Sequence, residues 1–199
     1  MSCPVVVLLS GKRFSGKDTV AADLLSICLE DYRIATFASA NELKRLYCEQ
    51  NHLDFQRFLT DRMYKESHHV AMTEFYHMQA LKTPFEQTVA QKIAENAKHI
   101  DVAIVTDWRF ERQFQFLKEA LPKSPCLRVR IEASDKVRKE RGWIENSTID
   151  AGDTETALDN AEFDITLQNN SNTMQELTNV LRQQLLPLLQ SLVENQKTN

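Results

Sequence analysis

The chain has 199 residues, of which 42% are hydrophobic and 26% are charged, and its net charge is −4 with a pI near 5.8. These values are typical of one ordinary globular domain. They argue against a disordered chain and give no general case for nucleic acid or membrane lipid as a partner. No apolar run approaches the ~18 residues that cross a bilayer, and the first residues lack the features of a signal peptide.

Five β-rich runs divide the chain. They cover residues 4–10, 33–39, 101–107, 127–133 and 163–169. The first and third runs are almost continuously apolar, which is typical of parallel strands buried on both faces. Helical periodicity lies between and after the runs, over residues 19–29, 85–97, 110–121 and 174–193. Strands that alternate with helices predict an α/β fold in three layers, a five-stranded parallel sheet flanked by helices.

We expect one domain over residues 1–199, with two additions to the sheet. The stretch of about 40–100 has a helical pattern and is expected to form a substrate-side insertion between the second and third strands. The stretch of about 134–150 is expected to form a lid between the fourth and fifth strands. The C-terminal pattern predicts a helix face that packs on the core rather than in a dimer zipper. That face carries Leu177, Leu181, Leu185, Leu188 and Leu192.

The segment GKRFSGKD, at residues 11–18, follows the first strand and comes close to a phosphate-binding loop. The pattern G-x-x-x-x-G-K-[ST] is met at Gly11, Gly16 and Lys17. The chain has only 4 glycines, where average usage would give about 14. Glycines at this spacing let backbone N–H groups approach an anion, and Lys17 adds a positive charge. The segment therefore predicts a phosphate loop, and with the strand pattern a P-loop kinase fold, rather than an ordinary turn.

Two aspartates are candidate Mg²⁺ ligands. Asp18 stands where the loop pattern has a serine or threonine, and a carboxylate is also a hard oxygen ligand. Asp107 ends the third strand, at the sheet edge where ligands bind in open α/β folds. An alternative for Asp107, or for Thr106 beside it, is the N-cap of the following helix.

Basic residues cluster around the predicted loop and lid. Lys12 and Arg13 lie inside the loop, which indicates a site that holds more phosphate charge than one nucleotide carries. Arg109 follows the third strand at the same edge. Arg141 precedes Gly142 in the lid, where an arginine is expected to stabilise a transferring phosphoryl group. The neighbouring lysines of the lid are expected to lie on a solvated helix face.

His68 and His69 are adjacent. Side chains of neighbouring helical residues diverge by about 100°, so these two histidines cannot face the same ligand. We expect them at the surface.

Several motifs together resemble the phosphomevalonate kinase family of the animal type, over almost the whole chain. They are SGKRFSGKD (10–18), LKRLYCEQNHLDFQRFLTDRMYKE (43–66), TDWR (106–109), RKERGW (138–143), LDN (158–160) and FDITLQNN (163–170). Phage deoxynucleoside monophosphate kinases carry a similar loop. The specific signal is therefore the combination of DFQR, YKE and RGW.

The resemblance implies transfer of the γ-phosphate of ATP, with Mg²⁺, to (R)-5-phosphomevalonate in isoprenoid and sterol precursor synthesis. It implies that Lys17, Arg13, Arg109 and Arg141 act in catalysis, and that Lys65, Asn169 and Arg109 bind the acceptor. It implies metal binding by Asp18 and Asp107. The ATP-binding residues would be Gly11, Lys12, Arg13, Phe14, Ser15, Gly16, Lys17, Asp18, Arg141 and Asn170. For the adjacent asparagines, a simple turn is the alternative.

We further expect a monomer that acts on a small molecule in the cytosol. The last residues, QKTN, differ from an S-K-L peroxisomal signal. Four scattered cysteines without a CxxC pair predict reduced thiols rather than a zinc site.

The chain departs from the family pattern on the expected acceptor side. Phe14 and Phe110 stand where the family has basic residues, and SHHVAM (67–72) replaces a basic stretch. Arg112 lies three residues after Arg109, on the same helix face, and is a candidate to replace the missing arginine. Two alternatives therefore stay open: a transfer-deficient ATP-binding member of the family, or an enzyme like the nucleoside monophosphate kinases.

Overall fold

A five-stranded parallel sheet forms the centre of the computed structural model, which describes residues 3–80, 85–171 and 173–198. Its strands are β1 (Val5–Ser10), β2 (Ile34–Phe37), β3 (Val102–Val105), β4 (Cys126–Glu132) and β5 (Ile165–Gln168). Their order in the sheet is β2-β3-β1-β4-β5, and every neighbouring pair is parallel. The five predicted runs are thus confirmed as strands; four are shorter than predicted, and β4 begins and ends one residue earlier than its run.

Helices occupy the intervals between the strands. Those in the described ranges before β4 are α1 (Lys17–Cys28), α2 (Ser39–Gln50), α3 (Phe55–Thr60), α4 (Arg62–Ser67), α5 (His69–Ala80), α6 (Phe85–Asn96) and α7 (Glu111–Ala120). After β4 come α8 (Asp135–Glu140), α9 (Ser147–Asp150), α10 (Asp153–Thr156), α11 (Met174–Val180) and α12 (Leu186–Thr198). Within these ranges, no helix combines the length and the apolar character needed to cross a bilayer.

The central strand β1 divides the core into two layers. All six of its residues are buried. Val5, Val7 and Leu9 pack with α1 and the C-terminal helices on one side of the sheet. Val6 and Leu8 pack with α6 and α7 on the other side. Side chains alternate across a strand, so this burial on both faces explains the continuous apolar run and confirms the three-layer prediction.

The C-terminal helix contains a π-helical turn, Leu181–Leu185, between α11 and α12. Its core face includes Leu189 and Val193, whereas the predicted Leu188 is 41% exposed. A π turn is wider than an α turn. Through this turn, side chains four residues apart therefore stay on one face of the helix. After Leu185 the buried positions consequently lie one residue later in the sequence than predicted.

The helical stretch between β2 and β3 has a small core of its own. Leu43, Tyr47 and Cys48 of α2 pack there against Phe58 of α3 and Phe75 of α5. This cluster holds helices α2 to α5 over the carboxyl end of the sheet. The predicted insertion over about 40–100 remains a prediction: α6, at its end, packs on the sheet instead, and residues 81–84 lie outside the described ranges.

Candidate active site

The loop between β1 and α1 is built on two glycines. Gly11 has φ 155° and Gly16 has φ 89°, conformations that favour glycine. A Cβ atom on Gly11 would lie 2.4 Å from the carbonyl oxygen of Ile131, and one on Gly16 would lie 2.3 Å from Nδ2 of Asn169. Close packing of the loop against β4 and the chain after β5 therefore requires both glycines.

Lys17 is the first residue of α1 and folds back over the loop. Its Nζ donates hydrogen bonds to the carbonyl oxygens of Gly11, at 2.6 Å, and Lys12, at 3.3 Å. Burial, together with the nearby charge of Arg109, lowers the pKa of Lys17 to about 8. The loop thus combines an ammonium group with the positive end of a twelve-residue helix, an arrangement that suits a phosphate group.

The hydroxyl group of Ser15 also indicates what the loop binds. Its side chain is 1% exposed, and among the described residues its Oγ has no hydrogen-bond partner. A buried hydroxyl without a partner is costly, and a phosphate oxygen in the loop would satisfy it. The residues of the loop therefore fit the phosphates of the expected ATP.

A cavity of about 590 Å³ opens beside the loop. Its walls come from the phosphate loop, the carboxyl end of β3 and helices α2 to α5. Of the predicted site residues, the lining includes Arg13, Phe14, Lys17, Asp18, Lys65, Asp107 and Arg109. These residues are distant in sequence, and the parallel sheet brings them to one edge.

Asp18 and Asp107 line the same cavity. Asp107 Oδ2 accepts a hydrogen bond from the backbone N–H of Ala40, at 2.6 Å, so it caps the start of α2. Helix α7 begins instead after Phe110, whose N–H donates to the side chain of Gln113. In the described ranges no group of three or more His, Cys, Asp or Glu side chains could hold a metal ion. Two carboxylates that share the cation with phosphate oxygens are the usual arrangement for Mg²⁺.

Glu155, a residue that the sequence analysis did not find, links two arginines beneath the cavity. Its Oε2 accepts a hydrogen bond from the backbone N–H of Arg13 at 2.8 Å, and its Oε1 accepts one from Nη1 of Arg109 at 2.6 Å. Burial is the largest effect and opposes ionisation, but the charge and hydrogen bond of Arg109, the charge of Lys17 and the N–H of Arg13 together lower the pKa of Glu155. No motif marks this lone glutamate in a polar segment, so the sequence carried no signal for it.

The guanidinium group of Arg13 lies at the cavity wall between two carboxylates. It pairs with Glu66 of α4 and Asp150 of α9. Arg138 of α8 donates from Nε to the carbonyl oxygen of Arg13 at 3.0 Å. The loop arginine therefore ties the insertion to the predicted lid segment, and its predicted catalytic role remains a prediction.

Lys12 points to a different place from the other cations. Its Nζ lies 2.9 Å from Asp159 Oδ2, and Arg130 binds the other oxygen of that carboxylate at 2.8 Å. The residues that line the cavity do not include Lys12. Its charge is therefore offset at the outer side of the loop.

Arg141 and Asn169 hold the phosphate loop from behind. Arg141 donates to the carbonyl oxygens of Ser15, at 3.1 Å, and Asn169, at 3.0 Å, while Asn169 Nδ2 donates to Ser15 O at 2.9 Å. Neither residue is among those that line the cavity. The amide of Asn169 is buried behind the loop and supports it, and its predicted contact with the acceptor remains a prediction. The exposed Asn170 accepts the backbone N–H of Ser134 at 2.8 Å.

Lys44 of α2 is a second cavity residue that the sequence analysis missed. Burial, with the charge of Lys65, lowers its pKa to about 8. The charges of Asp107 and Asp18 partly offset this effect. Lys44 belongs to the segment 43–66 that resembles the family, but no motif within that segment marks it as a site residue. Its position adds a further cation to the lining of the cavity.

The two adjacent histidines point in different directions, as expected. His68 packs among the rings of Tyr47, Phe58 and Tyr64, with its centroid 4.9 Å from that of Tyr64. His69 lines the cavity. Both side chains are half-buried rather than fully exposed, because α4 and α5 fold over the aromatic cluster of the insertion.

Arg112 does not replace the missing arginine at the cavity. Its guanidinium lies 4.7 Å from the ring centroid of Phe110 and donates to Tyr76 Oη at 2.6 Å. Tyr76 and Phe110 stack at 5.7 Å with an interplanar angle of 2°. Arg112 is absent from the described residues that line the cavity. The aromatic pair holds it to one side.

Comparisons with known proteins agree with this geometry. A family model for phosphomevalonate kinase matches residues 9–123, more than half of the chain. A phosphomevalonate kinase from Drosophila melanogaster is 25% identical over 183 residues, which are 90% of this chain and 96% of the fly protein.

Solved structures of kinases share the fold. A gluconokinase from Sinorhizobium meliloti 1021 has a TM-score of 0.53 at 16% identity, covering 98% of this chain and 97% of its own. A sugar kinase from Janibacter sp. HTCC2649 has a TM-score of 0.51 at 16% identity, covering 94% and 98%. The expected P-loop kinase fold and phosphotransferase class are confirmed. With the family match over residues 9–123, the chain belongs to the phosphomevalonate kinase family.

Proposed function

We propose that this enzyme transfers the γ-phosphate of ATP to (R)-5-phosphomevalonate, giving (R)-5-diphosphomevalonate and ADP. One observation carries the proposal: lysines from three separate elements, Lys17, Lys44 and Lys65, line one cavity next to a phosphate loop. A site that brings two polyanions together needs such a concentration of positive charge. A kinase that acts on a neutral hydroxyl acceptor needs less.

The acceptor group is itself a phosphate, which is ionised at pH 7. No general base is therefore required, and the work of the site is positioning and charge neutralisation. Lys17 serves the donor phosphates at the loop. Arg109 is fixed by Glu155 at the junction of donor and acceptor. Lys44 and Lys65 face the acceptor side.

Asp18 and Asp107 would hold Mg²⁺ between the loop and the end of β3. When bound, the ion neutralises phosphate charge and orients phosphate oxygens. Asp107 already anchors α2 through Ala40. The position of Lys44 on that helix therefore depends on the same carboxylate.

Apolar side chains form the remaining wall of the cavity. Phe14, Leu43, Phe58 and Met72 line the cavity together with the charged residues, and we assign them to the acceptor. Such a wall suits the short carbon skeleton of a branched hydroxy acid and helps to exclude water. Phe14 thus supplies apolar contact area at the loop.

The nucleotide lies, in this proposal, along the loop and toward the chain after β5. Arg141 contacts the loop at Ser15, and Asn170 contacts Ser134 at the start of α8. The segment of about 134–150 closes over the nucleotide as a lid. We also propose that the enzyme acts in the cytosol as a monomer, in isoprenoid and sterol precursor synthesis.

A coupled ADP-release assay with ATP, Mg²⁺ and (R)-5-phosphomevalonate tests the proposal. We expect turnover that requires the acceptor, with diphosphomevalonate identified by mass spectrometry. Measurable ATP binding without turnover would indicate a transfer-deficient member. Faster turnover with nucleoside monophosphates would instead assign the acceptor to that class.

A further inference from the structure

His69 lines the cavity, and the proposed reaction assigns it no role. It is the first residue of α5, four residues after Lys65, and both line the cavity. Its neighbour His68 is turned into the aromatic cluster. Only one of the two histidines therefore faces the acceptor side.

Charged groups from four elements surround the His69 ring. Arg13 of the phosphate loop and Arg109 after β3 repel its protonated form, whereas Glu66 of α4 and Glu155 of α10 favour it. Burial is the largest effect, and the pKa of His69 is lowered. The ring is therefore mostly neutral at pH 7 in the free protein.

The ring is also available for a ligand. The backbone carbonyl of His69 accepts the hydroxyl of Thr73 at 3.0 Å. Within the described part of the chain, its ring nitrogens have no hydrogen-bond partner. The nearby carboxylates are engaged elsewhere, Glu66 with Arg13 and Glu155 with both arginines.

We propose that His69 binds an anionic group of the acceptor and takes up a proton from solvent as the acceptor enters the cavity. This inference rests on the proposed function, since it requires a polyanionic acceptor on this side. The incoming negative charge offsets the repulsion by Arg13 and Arg109. The imidazolium then donates a hydrogen bond to the anion. No bond of the acceptor changes in this step, and the proton comes from water.

The consequence is an acceptor affinity that depends on pH through one residue. At low pH solvent readily protonates His69 and acceptor binding is tight. At high pH protonation is costly and acceptor binding is weaker. The phosphate of the acceptor itself titrates near pH 6, but it does so identically for every enzyme variant. The ratio of KM values between a variant and the wild type removes that shared effect.

We would measure kcat and acceptor KM from pH 6 to 8.5 for the wild type, His69→Gln, His69→Arg and His99→Gln. His99 is exposed beyond α6 and serves as the matched control. For His69→Gln we expect a KM about tenfold above wild type at pH 6, because a charge-assisted hydrogen bond is lost. The ratio should fall toward one by pH 8.5, with kcat changed less than about threefold. His69→Arg should keep a low acceptor KM at both pH 6 and pH 8.5, because its positive charge does not depend on pH in this range.

Calorimetry of acceptor binding without ATP gives a second reading. In two buffers of different ionisation enthalpy, the wild type and His99→Gln should take up the same fraction of a proton at pH 7. His69→Gln should take up measurably less. Equal proton uptake, or a KM ratio that is the same at every pH, would overturn the role of His69 while wild-type turnover upheld the proposed reaction. Absence of wild-type turnover would overturn the proposed reaction and this role with it.

Discussion

Lys17 shows how a single buried cation can be prepared for phosphate. Its ammonium group rests on two loop carbonyl oxygens, and its pKa is lowered to about 8. A phosphate bound in the loop, as proposed, would exchange those carbonyl oxygens for a full negative charge. The local sequence pattern predicts the place of this residue in the loop, because loop, glycines and lysine are contiguous, and its role toward phosphate remains a prediction.

Replacement of Lys17 by Met should lower kcat at least ~10²-fold, because the residue acts mainly on charge that develops in the transition state. The melting temperature should change by less than about 3 °C, since relief of a buried charge offsets the two lost hydrogen bonds. The ADP-release assay and thermal unfolding measure these effects. Lys123→Met, at an exposed position, is the control. A folded Lys17→Met enzyme with normal turnover would rule out the role.

Glu155 joins two parts of the site, yet no sequence motif predicts this role. It joins the loop backbone at Arg13 to the side chain of Arg109, and its charge also favours the protonated form of Lys17. Its partners are 142 and 46 residues away in sequence. Contacts of such separation depend on the completed fold.

Replacement of Glu155 by Gln keeps the shape but removes the charge that pairs with Arg109. We expect kcat to fall about tenfold and the free energy of unfolding to fall by about 1–3 kcal/mol. Steady-state kinetics and urea unfolding provide the readouts. Glu162→Gln, whose side chain is 91% exposed, should leave both unchanged. Equal behaviour of the two variants would contradict the assigned contact.

At the scale of elements, the strands were more predictable than the helices around the site. Parallel strands buried on both faces leave a continuous apolar run, as in β1 and β3. The short helices α9 and α10 have no such signature, since each has only four residues. Their carboxylates Asp150 and Glu155 therefore escaped prediction, although both contact Arg13.

Helix α8 is joined to the phosphate loop through Arg141, which follows it directly. Replacement of Arg141 by Ala should lower kcat about 10- to 100-fold, because the loop and the lid lose their shared contact during transfer. The KM for ATP should change less than about threefold if the lid closes late. Initial-rate kinetics at varied ATP decide this. Lys136→Ala, on the exposed side of α8, is the control, and a change confined to KM would contradict the expectation.

At the scale of the whole molecule, the sheet order explains why the site could be predicted only in part. Strand β1 lies between β3 and β4, so the phosphate loop, Asp107 and the lid segment converge at one edge. Residues at strand ends were therefore predictable. Lys44 and His69 reach the cavity only because the insertion folds over that edge, and this fold-back depends on an aromatic cluster spread over α2 to α5.

Ligand binding should be visible in the stability of the entire protein. At one hundred times its dissociation constant, (R)-5-phosphomevalonate should add about 2.7 kcal/mol. For a chain of this size, that corresponds to a rise in Tm of about 5–10 °C. Differential scanning fluorimetry measures the shift, with inorganic phosphate and AMP as controls. An equal shift with AMP would point to a nucleotide acceptor.

The π-helical turn at Leu181–Leu185 has a consequence for the end of the chain. Each residue advances an α-helix by about 100°, and the wide turn accommodates one residue more than an α turn would. If the turn tightened to an α turn with no residue removed, α12 would rotate by roughly that angle, so that Leu188 faced the sheet while Leu189 and Val193 faced water. The packing of the last thirteen residues thus depends on this one extra residue, and a one-residue deletion within the turn should leave the orientation of α12 unchanged.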